Sequence, residues 1–387
     1  LLSCKFRLYL SKQTEKALLQ HLDLCRWLYN RLLEELNRAK AEGREQSQKD
    51  TQALIVKLKT EKPELEQVYS KVLQMINYQL WSNIRALSVL KKNGRRVGKL
   101  RFKGQWFKTL NFNQSGFRIE GKKLFLSKVG AINIKLHRPI EGKIKGVFVK
   151  RGVSEKWHAI FQVENTSNPL PGTGKSVGID VGLRHFLTDS DGRQVENPKF
   201  YGKTLGKIKV LQYWLSRKKK GSRNREKQRV KLAETHEKLE NQRNDFLHKL
   251  SRFYVNNYDT IYVENLNIKG MARNHNLAQK ILDVSWGKFF QMLSYKAESA
   301  DRTVVEVNPR GTSEGLSYDN PLRDYISANR IKMRGRDDPK MPAEMRPPRE
   351  LIEVPASLVV EAGSPFRQGG VVHNAPPLNL LGTGRSL

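Results

Sequence analysis

Residues 177–183 read VGIDVGL, an apolar run that predicts a buried strand but contains one carboxylate, Asp180. A carboxylate buried without a partner is costly, so this acid should lie exposed at a strand end or be neutralised by a cation. Residues 260–264 read TIYVE, a second strand that is apolar on both faces and ends in Glu264. Ligands of such sheets bind at the carboxyl ends of the strands. The two patterns predict an acidic site at one edge of a sheet.

A third acid, Asp324, opens the helical segment 324–331, from which it can project toward the sheet. Three oxygen donors on separate elements suit two Mg²⁺ ions, one activating water and one stabilising the leaving oxygen of a phosphodiester. Spacing alone leaves a structural explanation open for each acid. Asp180 could be a turn or capping acid, Glu264 the partner in a strand-end salt bridge, and Asp324 an ordinary N-cap.

The chain around these acids alternates strands with helices. Residues 176–195 predict a strand meander with a turn at Asp191-Gly192, and 203–252 predict long helices. A helix around 285–300, a strand at 303–307 and a helix from about Arg323 complete a mixed α/β sheet with helices packed against it.

Upstream, the pattern predicts a different architecture. A strand at 4–10 precedes two amphipathic helices at 11–35 and 65–90, and short alternating runs between 100 and 163 predict a compact β-barrel. The fold class is therefore a multi-domain α/β and β protein, with a helical lobe inserted in the barrel and a linker at about 165–175. The predicted divisions are a barrel at 1–10 and 95–168, a helical lobe at 11–94, an α/β domain bearing the acids at 169–335 and a mostly disordered tail at 336–387, which holds eight of the fifteen prolines.

Composition indicates a polyanionic partner. The chain has 71 Lys+Arg against 38 Asp+Glu, a formal charge of +33, and its apolar runs are too short to span a membrane. Basic residues concentrate at 203–252, and at 91–108 they mix with Phe102, Trp106 and Phe107. Charge runs are often only solvated surface, and these aromatics could instead belong to the barrel core. The predicted nucleic-acid contacts are Lys99, Arg101, Lys103, Arg217, Lys218, Lys219, Lys220, Arg223, Arg225 and Arg310.

The cysteines, Cys4 and Cys25, lack metal-ligand spacing, so neither a disulfide framework nor a zinc cluster is expected. The chain opens Leu1-Leu2-Ser3 without the pattern of an export signal. We expect a prokaryotic cytoplasmic protein associated with the nucleoid.

Three blocks in the acidic half resemble the successive signatures of TnpB/OrfB proteins, a family of transposon-encoded RNA-guided nucleases. They lie at 178–183 (GIDVGL), 263–267 (VENLN) and 307–313 (VNPRGTS), and LHRPI at 136–140 and EAGSP at 361–365 also resemble family segments. The resemblance implies an RNase H-like (RuvC-like) nuclease domain in which Asp180, Glu264 and Asp324 are catalytic and hold two Mg²⁺. It also implies a guide RNA transcribed from the element's own end and a DNA target beside a short motif.

The sequence departs from the family after Ser313. There the family has a four-cysteine zinc ribbon, whereas residues 314–319 here read EGLSYD, so we expect that the ribbon is deleted and that no zinc binds. The change also makes Asp319 a competitor of Asp324 for the third acid. Loss of the ribbon suggests reduced cleavage, and hence an alternative function as an RNA-guided protein that binds DNA without cutting it. A transposase that joins strands is the weakest alternative, because no Tyr or Ser recombinase constellation is evident.

Overall fold

The structure, a computed structural model, describes residues 2–164 and 169–337. The described residues divide into two compact units, 2–164 and 169–337. The predicted disordered tail lies outside the described residues from 338 onward. Its first predicted residue, Arg336, instead ends a helix and is buried.

The first unit combines one sheet with three long helices. Its elements are β1 (Leu2–Tyr9), α1 (Lys12–Ala41), α2 (Gln48–Glu61), α3 (Ser70–Lys92), β2 (Thr109–Asn113), β3 (Phe117–Glu120), β4 (Lys123–Leu126), β5 (Gly130–Lys135), β6 (Ile144–Arg151) and β7 (Trp157–Val163).

The seven strands form an antiparallel sheet in the order β2-β6-β7-β1-β5-β4-β3. The N-terminal strand β1 lies in the middle of this sheet and pairs with both β5 and β7. The two end strands, β2 and β3, are consecutive in the chain and are joined by the single 3₁₀ turn Gln114–Gly116. This short link holds the ends of the sheet near each other, so the sheet is nearly closed.

The helical segment contains a helix that the sequence analysis missed. The pattern predicted two helices between residues 11 and 94, and α2 is a third. It begins with a capping box, in which the Ser47 hydroxyl accepts from the Asp50 N–H and the Asp50 carboxylate accepts from the Ser47 N–H. Only Thr51, Ile55 and Leu58 are buried along it, so its apolar periodicity is weak.

A buried histidine makes the first unit sensitive to acid. His21 on α1 is 2% exposed, and its Nδ1 has no hydrogen-bond partner. Burial lowers the pKa of His21 to about 4 from 6.5, although a hydrogen bond with the backbone of Gln67 acts in the opposite direction. The folded state therefore favours neutral imidazole, and protonation favours unfolding.

We predict that His21 accounts for a defined loss of stability below pH 6.5. The unfolded chain binds the proton first, so the contribution of neutral His21 is complete above pH 6.5 and falls as the pH drops toward 4. By proton linkage the loss is about 2.5 kcal/mol at pH 4.5. Urea unfolding at pH 7 and pH 4.5 measures it, with His21→Gln as the comparison. Equal pH dependence in the two proteins would refute the assignment.

The second unit is a sheet covered by helices on both faces. Its elements are β8 (Ser176–Val181), β9 (His185–Asp189), β10 (Gln194–Glu196), α4 (Phe200–Arg217), α5 (Arg223–Asn257), β11 (Thr260–Glu264), α6 (Ile268–Met271), α7 (His275–Val284), α8 (Trp286–Ser299), β12 (Thr303–Val307) and α9 (Arg323–Arg336). The predicted strands at 260–264 and 303–307 are confirmed to the residue, whereas α6 and α7 were not predicted.

The strand order is β10-β9-β8-β11-β12, an antiparallel meander extended by two strands parallel to β8. Alternate residues of each strand point to opposite faces. Val177, Ile179 and Ile261 pack in the core that contains residues of α5 and α8. On the other face, Tyr262 and Val307 pack with Ile331 of α9.

Helix α9 lies against the sheet at backbone contact, because glycine occupies both points of closest approach. A Cβ on Gly178 of β8 would lie 2.8 Å from the Lys332 nitrogen and closer still to the Ala328 carbonyl oxygen. A Cβ on Gly335 of α9 would overlap the ring of Tyr262. Gly178, which the sequence analysis treated only as part of a motif, is thus required by packing.

We predict that Gly178→Ala lowers the free energy of unfolding by about 3 kcal/mol or more, because the methyl group must displace the α9 backbone. Gly206→Ala is the matched control. Gly206 lies in α4 with nothing within 4 Å of an added Cβ, so alanine there should stabilise by up to about 1 kcal/mol. Denaturant unfolding of both variants is the measurement, and equal effects would contradict the prediction.

No helix in residues 2–164 and 169–337 is both long and apolar enough to cross a membrane.

Candidate active site

The carboxyl ends of β8 and β11 bring two of the predicted acids side by side. These strands are parallel and their last registered pair is Ile179 with Val263, so Asp180 and Glu264 occupy the next position on each. Neighbouring strands lie about 4.8 Å apart. Both acids share the strand face of Gly178, which is the face covered by α9.

The third predicted acid, Asp324, lies in the first turn of α9, and its charge acts on Asp180. Burial, followed by the charges of Glu264 and Asp324, raises the pKa of Asp180 to about 8. The Arg323 charge and the Val181 backbone N–H act in the opposite direction. The three acids therefore form one electrostatic cluster, whereas the competitor Asp319 is exposed in the loop before α9.

Glu264 is held by a residue that the sequence analysis did not single out. The Thr312 hydroxyl donates to Glu264 Oε1 at 2.6 Å, and the two residues are 3% and 8% exposed. Burial raises the pKa of Glu264, while this hydrogen bond and the charge of Arg334 lower it. Thr312 thus orients one carboxylate oxygen and stabilises its charged form.

Helix α9 also anchors the loop that carries Thr312. Arg330 donates to the Glu314 carbonyl at 2.7 Å and to the Thr312 carbonyl at 3.3 Å. Arg334 donates to the carbonyls of Asn308 and Arg310. The sequence contains a signal for Thr312, because this residue lies within the block 307–313 that resembles a family signature.

The donor set fits a divalent cation in its chemistry. Carboxylate oxygens are the ligands that Mg²⁺ prefers. The pKa of Asp180 is raised first by burial and then by like charges, and a bound cation would offset both effects. Over the described parts of the chain, however, no three His, Cys, Asp or Glu side chains form a group that could hold a metal ion. Asp180, Glu264 and Asp324 therefore lie near one another, but their carboxylates do not surround a common point.

A further acid, Asp189, belongs to the opposite face of the sheet. It pairs with Ile179 in the β8–β9 register and is fully buried. Its carboxylate accepts from the Tyr254 hydroxyl at 2.9 Å and from the Arg193 N–H at 2.8 Å. Burial raises the pKa of Asp189 to about 6. These contacts are those of a structural acid that joins the meander to α5.

The residues predicted to contact nucleic acid differ in their exposure to solvent. Of the set, Lys99, Arg101, Arg217, Lys219, Lys220, Arg223 and Arg310 are exposed, whereas Lys103, Lys218 and Arg225 are half-buried. Arg225 donates to the carbonyls of Leu215 and Lys218, and it therefore caps the end of α4. The predicted helix break before Gly221 is confirmed, since α4 ends at Arg217 and α5 begins at Arg223.

Three family models match the chain in order. Residues 1–45 match the OrfB IS605 "Helix-turn-helix domain", 160–275 match OrfB IS605, "Probable transposase", and 286–328 match "Cas12f1-like, TNB domain". The second range contains Asp180 and Glu264, and the third contains Asp324. The chain belongs to the TnpB/OrfB family. The residues of this TnpB/OrfB protein that match the helix-turn-helix model form β1 and the single long helix α1.

Two curated relatives are named as nucleases. A Streptomyces pristinaespiralis protein named as a candidate RNA-guided DNA endonuclease is 34% identical over 200 residues, which cover 51% of this chain and 50% of the relative. The similarly named InsQ of Escherichia coli is 30% identical over 215 residues, covering 51% and 53%. The TnpB/OrfB chain thus spans about half the length of the curated relatives it matches.

Among solved structures, a Cas12f1–sgRNA–target DNA complex is similar at 13% identity and a TM-score of 0.48, over 83% of this chain and 82% of that one.

We predict that Thr312→Val lowers the free energy of unfolding by about 1–3 kcal/mol, because it leaves a buried carboxylate oxygen without its donor. Thr312→Ser keeps the hydroxyl and is the matched control, with an expected loss below about 1 kcal/mol. Denaturant unfolding at pH 7 compares the two. If valine were tolerated as well as serine, the hydrogen bond to Glu264 would not be stabilising.

Proposed function

We propose that this TnpB/OrfB protein is an RNA-guided DNA endonuclease of a transposable element that hydrolyses phosphodiesters with two Mg²⁺ ions. The observation that carries the proposal is the adjacent placement of Asp180 and Glu264 at the ends of parallel strands, within the field of Asp324. Such a concentration of carboxylates, with a raised pKa on one of them, supports a catalytic role for this site.

In the proposed mechanism, Asp180, Glu264 and Asp324 would hold the metal ions. When bound, the ions supply an activated water and neutralise the charge that develops on the leaving oxygen. The chain's own contribution is orientation. Thr312 occupies Oε1 of Glu264 and leaves its other oxygen for a cation, while α9 sets how closely Asp324 approaches the strand ends.

We also assign an RNase H-like (RuvC-like) architecture to the second unit and propose that a guide RNA directs it to DNA. A three-strand meander extended by two parallel strands, with acids at adjacent strand ends, supports the architecture. The names of the curated relatives and the positive charge of the chain support RNA and DNA as partners. Base pairing with the guide would provide most of the sequence specificity.

The proposal is tested by reconstituting the protein with RNA from the end of its own element and a matched DNA target. We predict that Asp180→Asn lowers the cleavage rate by at least about 100-fold, the scale of a lost transition-state stabiliser. Guide and target binding, measured by gel shift, should be retained. Cleavage by Asp180→Asn at the rate of the unmodified protein would overturn the metal-site assignment.

The same assay identifies the third acid. Asp324→Asn should match the effect of Asp180→Asn, whereas Asp319→Asn should cut normally because Asp319 is exposed in the loop. The reverse pattern would transfer the metal-ligand role to Asp319. The two variants remove the same charge five residues apart, so a general loss of electrostatic attraction cannot produce the difference.

The second candidate function is RNA-guided binding without cutting. It is favoured by residues 314–319, which carry no cysteine where family members have a zinc ribbon. In that case the unmodified protein would bind guide and target tightly, leave the DNA intact, and be indistinguishable from Asp180→Asn. A transposase would instead be revealed by joined strands among the products.

A further inference from the structure

Phe102 and Trp106, four residues apart, are among the exposed aromatic side chains of the first unit. Phe102 is 60% exposed and Trp106 is 62% exposed. The neighbouring Phe107 is half-buried and packs against the core, so the explanation of these aromatics as barrel core applies to Phe107 alone. Exposed apolar surface of this kind is typical of a binding site.

Both exposed rings line a cleft of about 380 Å³. This volume lies within the range of clefts that take small ligands or single nucleotides. Tyr29 and Leu100 contribute apolar surface to the cleft, and its basic lining residues are Arg101, Lys103 and Lys108.

The wall of the cleft is held in place although residues 101–108 form neither helix nor strand. Asn30 of α1 donates to the Lys103 carbonyl at 3.0 Å and accepts from the Lys103 N–H at 2.6 Å. At the other end of the segment, the Lys108 carbonyl accepts from the Arg151 N–H of β6. The aromatic side chains are therefore presented by an anchored segment.

Several side chains around the cleft are positively charged, which favours a polyanionic ligand. Residues 91–108 contain eight Lys and Arg and no Asp or Glu. The Lys108 ammonium lies 4.6 Å from the ring centroid of Trp106, and that of Lys103 lies 5.0 Å from the ring centroid of Tyr29. Aromatic faces bordered by cations match a base flanked by its phosphates.

We propose that this cleft binds an unpaired base of single-stranded nucleic acid, with Phe102 and Trp106 as the stacking surfaces and Arg101, Lys103 and Lys108 at the flanking phosphates. A base in a duplex is stacked on its neighbours and has no free face to offer. The site should therefore discriminate single strands from duplexes, a property that the acidic cluster of the second unit does not supply.

The test measures binding by the full chain, freed of co-purified nucleic acid and held in EDTA so that no cutting occurs. Fluorescence anisotropy compares labelled single-stranded RNA, single-stranded DNA of the same sequence, and the DNA duplex. We predict that Trp106→Leu weakens single-strand binding by about 10-fold or more. Trp106→Tyr should retain it, and duplex binding should not change in either variant.

Tyr9→Leu is the control, because Tyr9 is 53% exposed and also has an arginine near its ring, but it does not line the cleft. A loss limited to RNA, limited to single-stranded DNA, or shared by both supports the proposal and identifies the strand. An unchanged affinity, an equal loss on duplex, or an equal loss in Tyr9→Leu overturns it. None of these outcomes depends on the cleavage proposal, because no strand is cut.

Discussion

The close contact of α9 with β8 and β11 is the constraint on which the second unit depends. Glycine at positions 178 and 335 removes the side chains that would hold the helix away from the strands. One helix then carries Asp324 in its first turn, and Arg330 and Arg334 further along. The position of a single element thus determines both where the third carboxylate lies and whether the loop bearing Thr312 reaches Glu264.

This packing works against electrostatic repulsion. The raised pKa of Asp180 shows that the folded chain holds carboxylates where burial and like charge disfavour ionisation. The compensation is local: Arg323 acts on Asp180, while Thr312 and Arg334 act on Glu264. The apolar contacts of the two sheet faces supply the rest, as is common where a fold sacrifices stability for a functional site.

The sequence predicted those parts of the fold that local pattern determines. Strands β11 and β12 were predicted to the residue because both are short runs dominated by β-branched and other apolar residues. Helix α2 was missed because three buried residues give little periodicity, although its capping box was readable. The Thr312 contact spans 48 residues and depends on how α9 places a loop, so no local pattern encodes it. The exposure of Trp106 beside the packed Phe107 likewise depends on tertiary anchoring by Asn30.

The position of α9 late in the chain affects when the three acids can come together during synthesis. Domains assemble as their segments leave the ribosome, and α9 is the last of the described elements to emerge. A nascent polypeptide can pair β8 with β11 and juxtapose Asp180 with Glu264 while Asp324 is still untranslated. On the proposed mechanism the ligand set stays incomplete until α9 has been made, so an unfinished chain is kept from hydrolysing the nucleic acid around it.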